Sequence, residues 1–520
     1  MDFLKKYTSL FAATILFIVA LIAVYPYYQY CIDTDATAYL TIAKRYAAGD
    51  FEKAINGYWS PWSIWLTALL MKQDIAPFLS AIIINAIGAL GFLFISHSFF
   101  VRFKLKESYR WVLMLTLSLF LVYAVFKQSF DDLWECFFLL AALRIIIKDG
   151  FTTRAVLWVA AGALGAFAYF AKAYSFPFFV LNIICCSYFL TREDNTLSRY
   201  QWLKISSVSL LVMFALSFPW INLLHQEYGI WTTGTAGSLN LSWYLVGHPF
   251  WKENIVHLLP PVYADSPSYW EDPFIANGGT PHFWNSPKLL ALQIVRVFYN
   301  ILKWLQSMNE LSAFFLFTWC IMLAIVFSKR IRKFFDDKLF IVALSFFLFP
   351  LGYLLINFEA RYLWYMLPLS MLIGTYLLQK LNVGLIFFNW LFIIVFAFSF
   401  LAFPILDMKS MYLAGRKEFQ ISRILKKEKI EGSFTSIIPY GKQTQSIVRL
   451  AYFSNNPYYQ LPRPATYSEL LKEMRRYKVK YYFHFHDGDG ENYQLKDEHG
   501  NAFQAIATGK NKGLKVFKIN

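Results

Sequence analysis

The sequence predicts a polytopic α-helical membrane protein with about eleven transmembrane helices and a small C-terminal extracytoplasmic α/β domain. Three observations predict it. The 520-residue chain is 57% hydrophobic and 20% aromatic with only 16% charged residues, which is too apolar for a water-soluble domain. Its apolar residues gather in runs close to the length that crosses a bilayer. Its basic residues gather in the short segments between those runs, as cytoplasmic loops do.

The runs fall at Ser9–Tyr25, Phe78–Phe100, Trp111–Phe126, Leu133–Ile147, Ala155–Phe170, Phe176–Leu190, Ile205–Leu224, Leu311–Phe327, Leu339–Ile356, Tyr362–Leu378 and Val383–Phe403. Lys5 and Lys6 before the first run also suit a signal peptide. The following Val24-Tyr25-Pro26-Tyr27-Tyr28 lacks a small-residue cleavage pattern, so an uncleaved first span is expected.

With the N-terminus inside, alternate loops carrying Arg102/Lys104/Lys106/Arg110, Lys148/Arg154, Arg192/Arg199/Lys204, Lys329/Arg330/Arg332/Lys333 and Lys380 all lie on the cytoplasmic side. The formal net charge of +16 is thereby explained by topology, and no nucleic-acid partner is expected. Cys31, Cys136, Cys185, Cys186 and Cys320 lie in or beside apolar runs without C-x-x-C spacing, so they read as small buried residues.

This topology sends a first loop (26–77), a longer loop (226–310) and the tail outward. Residues 1–406 form the expected membrane domain. Leu289–Trp304 has apolar residues at helical spacing with Lys288, Arg296 and Lys303 among them, which predicts a helix lying along the membrane surface. From about Asp407 the tail turns polar. It alternates β-rich pieces (Phe434–Pro439, Lys478–His484, Leu514–Ile519) with a helical pattern at Tyr467–Tyr477, so 407–520 reads as the α/β domain.

Acids at span ends are costly, and so are candidates for function. Asp33 and Asp35 follow the first span. A helix with Tyr39, Ile42, Ala43 and Tyr46 on one face begins there and ends near Gly49-Asp50; one of the two acids suits its N-cap. Asp131 and Asp132 open the fourth span on the same side. Acids converging on one face suit deprotonation of a hydroxyl. Lys172, between the fifth and sixth spans, and Arg361, just after Glu359, supply the opposite sign there. Such cations could bind a lipid phosphate, or snorkel to headgroups and pair with neighbouring acids.

Asp35-Ala36-Thr37-Ala38-Tyr39-Leu40-Thr41-Ile42-Ala43, continuing to Ala48-Gly49-Asp50-Phe51 and Gly57-Tyr58-Trp59-Ser60-Pro61, resembles the first-loop signature of the GT-C glycosyltransferases. It is most similar to the protein O-mannosyltransferase and aminoarabinose-transferase group. Phe130-Asp131-Asp132-Leu133 resembles that group's second acid, Tyr169 through Pro177 its lysine-then-proline break, and Glu359-Ala360-Arg361-Tyr362 its late Glu-x-Arg-Tyr segment. The resemblance spans most of the membrane part and says little about the tail.

The resemblance implies a membrane glycosyltransferase of the cell envelope that moves a hexose or pentose from a polyprenyl-phosphate donor to a hydroxyl of a glycan, lipid or protein acceptor, with inversion. It implies residence among the lipids of a bacterial cytoplasmic (inner) membrane, with the active site outside. It gives Asp35 as catalytic acid, Asp131 as the second acid, and Lys172 and Arg361 as carrier-phosphate ligands. Asp33, Asp132, Tyr39, Glu359 and Tyr362 would support them. Pro61 is followed by Trp62 where the aminoarabinose branch has a second proline, so that acceptor is not assumed.

No cofactor is required by these residues, although paired acids leave room for a divalent metal. His484-Phe485-His486-Asp487 has a metal-like spacing, but ordinary strand-end histidines fit it as well. His248 and His282 share the outer loop without ligand geometry. Trp231 through Asn240 reads as a Gly/Thr loop able to touch sugar. No phosphate-binding glycine loop follows a strand. A lipid-linked-sugar flippase, or a non-catalytic membrane protein with an outer binding domain, remain as alternatives; the first would need polar residues deeper in its spans.

Overall fold

The computed structural model describes residues 2–127, 131–192, 196–247, 257–275, 281–381, 386–436, 442–461, 466–485, 494–496, 502–506 and 513–519. Phe130, His248, Ile437 to Pro439, His486 and Asp487 from the readings above lie outside them. In chain order come α1 (Asp2–Tyr28), α2 (Thr34–Ala48), α3 (Pro61–Met71), α4 (Pro77–Arg102) and α5 (Glu107–Phe126). Then follow α6 (Asp132–Ile146), α7 (Ala155–Ala171), α8 (Ser175–Arg192), α9 (Gln201–Tyr228) and α10 (Ala236–Val246).

The second half has α11 (Pro287–Leu311), α12 (Phe315–Phe327), α13 (Asp337–Leu348), α14 (Leu367–Leu381) and α15 (Ile386–Ser399). Helix therefore occurs at each of the eleven apolar runs. The expected count of crossings does not follow from this: among the described residues seven stretches are long and apolar enough to cross a membrane, or eight if the bent pair α11 and α12 is one span. The physical reason is length. α6, α7, α12 and α14 have 15, 17, 13 and 15 residues, about 20–26 Å of helix against a hydrocarbon core of ~30 Å.

The chain is an integral membrane protein, and its surface shows it. α1 exposes Phe11, Ile15, Ile18, Val19 and Ile22, and α15 exposes Phe387, Phe388, Leu391, Ile394 and Phe398. Apolar belts of this extent find their favourable solvent in lipid. α11 turns by 115° into α12 at Ser312–Phe314, so the run read as one span from Leu311 is broken at its start. Its apolar side, with Leu290, Ile294, Val295, Phe298 and Leu302, is exposed, while Gln293 and Asn300 are buried.

The chain after α15 continues through α16 (Ala402–Met411), α17 (Arg416–Lys427), α18 (Lys442–Ser454) and α19 (Tyr467–Arg476). These helices accompany β1 (Phe434–Thr435), β2 (Tyr481–Phe485), β3 (Ala505–Ile506) and β4 (Leu514–Lys518). The sheet runs β1-β2-β4-β3, with β1 parallel to β2 and the other pairs antiparallel. Alternation along the strands sorts side chains to two faces. Phe483 and Val516 pack with Ile421 of α17 and Val448 of α18, and Tyr482 and Phe517 pack with Leu470 and Met474 of α19. Two contacts seat this unit on the first loop. Arg449 Nη1 donates to Ile32 O at 3.1 Å. Gly415, at φ +79°, brings its α-carbon so near Tyr30 O that a β-carbon would stand 1.9 Å from that oxygen.

Candidate active site

α2 begins as it does because Asp33 caps it. The Asp33 Oδ1 accepts from Ala36 N at 2.8 Å, and the helix ends at Gly49 in the left-handed region, φ +82°, where a residue without a β-carbon fits. Asp35 stands in the first turn. Its Oδ1 accepts from Trp270 Nε1 at 2.9 Å, and its Oδ2 lies 3.6 Å from Arg361 Nη2. One turn further on, the Tyr39 hydroxyl donates to Asp131 Oδ2, linking α2 to the start of α6. The Asp131 Oδ1 is buried with no hydrogen-bond partner among the described residues.

The two sequence-predicted cations complete the cluster. Lys172, at the C-cap of α7, pairs with Asp132 and lies 3.6 Å from Glu135 Oε2. Its ammonium sits 4.4 Å from the centre of the Tyr362 ring. The guanidinium of Arg361 reaches three acids: Glu359 at 2.8 Å through Nε, Asp35 at 3.6 Å and Asp132 at 3.8 Å. Tyr362 OH donates to Glu359 Oε1 at 3.4 Å. Thus Asp35, Asp131, Asp132, Tyr39, Lys172, Glu359, Arg361 and Tyr362, from four distant parts of the chain, meet at one end of the helical bundle. Asp33 stands beside Asp35 as the helix cap.

Arg361 is held there by a break in the helical bundle. After Leu348 the chain passes into short 3₁₀ turns at Phe349–Leu351 and Tyr353–Leu355, whose carbonyls lack α-helical partners. The buried polar face of α11 supplies them. Gln293 Nε2 donates to Leu355 O and Asn300 Nδ2 to Leu354 O, each at 2.8 Å, and Arg296 Nε to Ile356 O at 3.3 Å. Three irregular residues, Asn357 to Glu359, follow, and Arg361 stands in the first turn of the next 3₁₀ helix, Ala360–Met366.

The surroundings shift the acids. Burial raises the Asp33 carboxyl to about 7, and the Asp35 charge adds to the push; the Ala36 N–H, Arg361 and Arg449 oppose it. Burial also raises Asp35 above its ordinary 3.8, against the pull of Arg361 and of the Trp270 N–H. Asp131 is raised well above the same value by burial and by Asp132, with Lys172 opposing. Each carboxyl is therefore a better proton acceptor than an exposed one.

Several residues of the cluster were not singled out in the sequence. Trp270 arrives from the long loop, which Arg45 anchors by ion pairs to Glu271 at 3.1 Å and Asp265 at 3.2 Å. Trp270 also packs at 62–64° on Trp59 and Tyr58. A lone Trp among 17 carries no sequence signal. Glu135 did carry one: it lies four residues after Asp131 inside an apolar run, where an acid is functional by default.

One minor reading changes. Trp231 through Asn240 is no continuous loop, because α10 starts at Ala236; it docks on the first loop through Thr235 N to Gly57 O at 2.7 Å and Tyr58 OH to Asn240 Oδ1 at 3.1 Å. Among the described residues no group of three or more His, Cys, Asp or Glu is arranged to hold a metal ion.

The helical bundle, with acids of the first loop facing Lys172 and Arg361 at one end, shares its fold with proteins of known structure. Among solved structures the chain is similar to ArnT from Cupriavidus metallidurans bound to undecaprenyl phosphate, at 12% identity and TM-score 0.57, over 97% of this chain and 98% of that one. The same ArnT in the apo state gives 11% and 0.52 with equal coverage. The Archaeoglobus fulgidus oligosaccharyltransferase in complex with Zn and sulfate gives 13% and 0.53, over 92% of this chain and 67% of that one. No family model and no curated protein matches the sequence.

Proposed function

We propose that this protein is a glycosyltransferase that takes a sugar from a polyprenyl-phosphate carrier and passes it to an acceptor hydroxyl on the extracytoplasmic side of the membrane. The observation that carries the reading is the meeting of Asp35 and Arg361 at 3.6 Å, a raised carboxyl beside a guanidinium at one bundle end. That the similar ArnT binds undecaprenyl phosphate supports the donor class.

In this reading Asp35 accepts the proton of the acceptor hydroxyl as its oxygen attacks the anomeric carbon. The bond from that carbon to the phosphate oxygen breaks, and the carrier leaves as a lipid phosphate. Arg361 and Lys172 stabilise the growing negative charge on it. The open Asp131 Oδ1 accepts a hydrogen bond from the acceptor or the sugar and fixes its approach. Attack from the side opposite the leaving phosphate inverts the anomeric centre. Trp270 holds the Asp35 carboxylate in orientation. No step here runs through a metal.

The test uses the full chain in proteoliposomes loaded with a labelled polyprenyl-phosphate sugar and a crude envelope extract as acceptor. Release of lipid phosphate together with transfer of the label supports the reading. Movement of the intact donor across the bilayer without lipid phosphate release would replace it with a transporter.

A further inference from the structure

A second feature lies apart from the acid and base cluster. A groove of about 940 Å³ separates the sheet-bearing C-terminal unit from the ends of α1 and α4. Tyr25 near the end of α1 and Phe78 in the first turn of α4 form its lower wall, at the level where one span stops and another starts. Phe419 and Lys426 of α17 and Tyr452 of α18 form the upper wall. Lys44 enters from α2. It follows Asp35 by nine residues, which at 100° per residue sets it on the opposite side of the helix. The body of α2 thus stands between the groove and the candidate active site.

Two ammonium groups converge here. Lys44 Nζ lies 4.2 Å from the centre of the Tyr452 ring, and the charge of Lys426, across the same groove, opposes its own. Among the described residues neither lysine has a carboxylate within ion-pair distance, and Glu431 is the one acid that lines the groove. A smaller cavity of about 270 Å³ shares Lys44, Tyr452 and Asn455 and extends the space along α2. Like charges drawn together beside aromatic rings favour an anion between them.

We propose that this groove binds the phosphate-bearing headgroup of an anionic membrane lipid. The phosphate lies between Lys44 and Lys426, and the glycerol and upper acyl chains lie along Tyr25 and Phe78. Two observations favour a lipid over a free phosphate: the volume far exceeds one phosphate ion, and the aromatic wall belongs to span ends, where such rings meet headgroups. Bound there, the lipid ties the C-terminal unit to the membrane bundle.

The test is lipid retention by the full-length protein, stripped of lipid in detergent and then offered phosphatidylglycerol or phosphatidylcholine, read by native mass spectrometry. The expected result is retention of phosphatidylglycerol alone, unaffected by excess inorganic phosphate. Lys44→Gln with Lys426→Gln should weaken it about thirtyfold, whereas Lys44→Arg with Lys426→Arg should keep it. Sugar transfer by the glutamine variant should remain, since neither lysine belongs to the proposed machinery. Equal retention of the two lipids, full retention by the glutamine variant, or displacement by inorganic phosphate would each overturn the proposal.

Discussion

Removing the Arg361 charge should move the pH dependence of sugar transfer. Arg361 Nη2 stands 3.6 Å from Asp35 Oδ2, and the two side chains are 22% and 23% exposed. At an effective dielectric of about 20, that separation corresponds to about 4–5 kcal/mol of gross attraction, an upper limit of about three pH units. Partial exposure brings solvent screening, and exposed pairs retain only ~1 kcal/mol; an effect of about one pH unit is therefore expected. The sign follows from the base role. Asp35 acts only when ionised, so activity is lost as pH falls through its raised value, and Arg361→Gln raises that value further.

The assay is the rate of lipid phosphate release by Arg361→Gln across pH 5 to 9, beside the wild-type protein. Its acid limb should lie about one unit higher, and its plateau should fall about 10²–10³-fold through lost stabilisation of the leaving phosphate. Arg361→Lys should restore the limb but only part of the plateau, because one ammonium cannot replace the fork that meets Glu359, Asp35 and Asp132. An unmoved acid limb in Arg361→Gln would refute the coupling.

Two further substitutions probe the same cluster. Lys172→Met leaves Glu135, 2% exposed, without its cation and Asp132, 4% exposed, with the more distant Arg361 at 3.8 Å, and should destabilise the protein by about 3–5 kcal/mol; a thermal unfolding midpoint in detergent equal to wild type would contradict this, and Lys172→Arg should hold the midpoint. Trp270→Phe keeps the ring packing but removes a hydrogen bond to a charged acceptor, worth about 1.5–3 kcal/mol. The plateau rate should drop ten- to hundredfold with an upward-shifted acid limb, and a change confined to KM would count against an orienting role.

Much of the fold was legible because lipid imposes long apolar helices, and these stand out against any composition. The number of crossings was not, since α6 and α12 are too short to be judged by length alone. The unwound chain before Arg361 was also hidden: Leu339–Ile356 reads as one apolar run, and the donors to its open carbonyls, Gln293, Arg296 and Asn300 of α11 and the Tyr174 hydroxyl, come from distant parts of the chain.

Candidate site residues were visible where a motif sat at a span end. Asp35, Asp131, Lys172 and Arg361 all satisfy that condition. Trp270 and Arg45 do not, because their meaning lies in a long-range contact: the loop that Arg45 anchors delivers the N–H of Trp270 to Asp35. The acidic pair after the first span divides by backbone geometry, with Asp33 bonded to its own helix and Asp35 turned toward Trp270 and Arg361.

The most direct measurement is sugar transfer by Asp35→Asn in membranes supplied with a polyprenyl-phosphate sugar, with the variant's expression and unfolding midpoint matched to wild type. Loss of the proton acceptor should lower the release of lipid phosphate by about 10²–10⁴-fold, while Arg361, Lys172 and the donor they would hold remain in place. Transfer at the wild-type rate by a correctly folded Asp35→Asn protein would contradict the account.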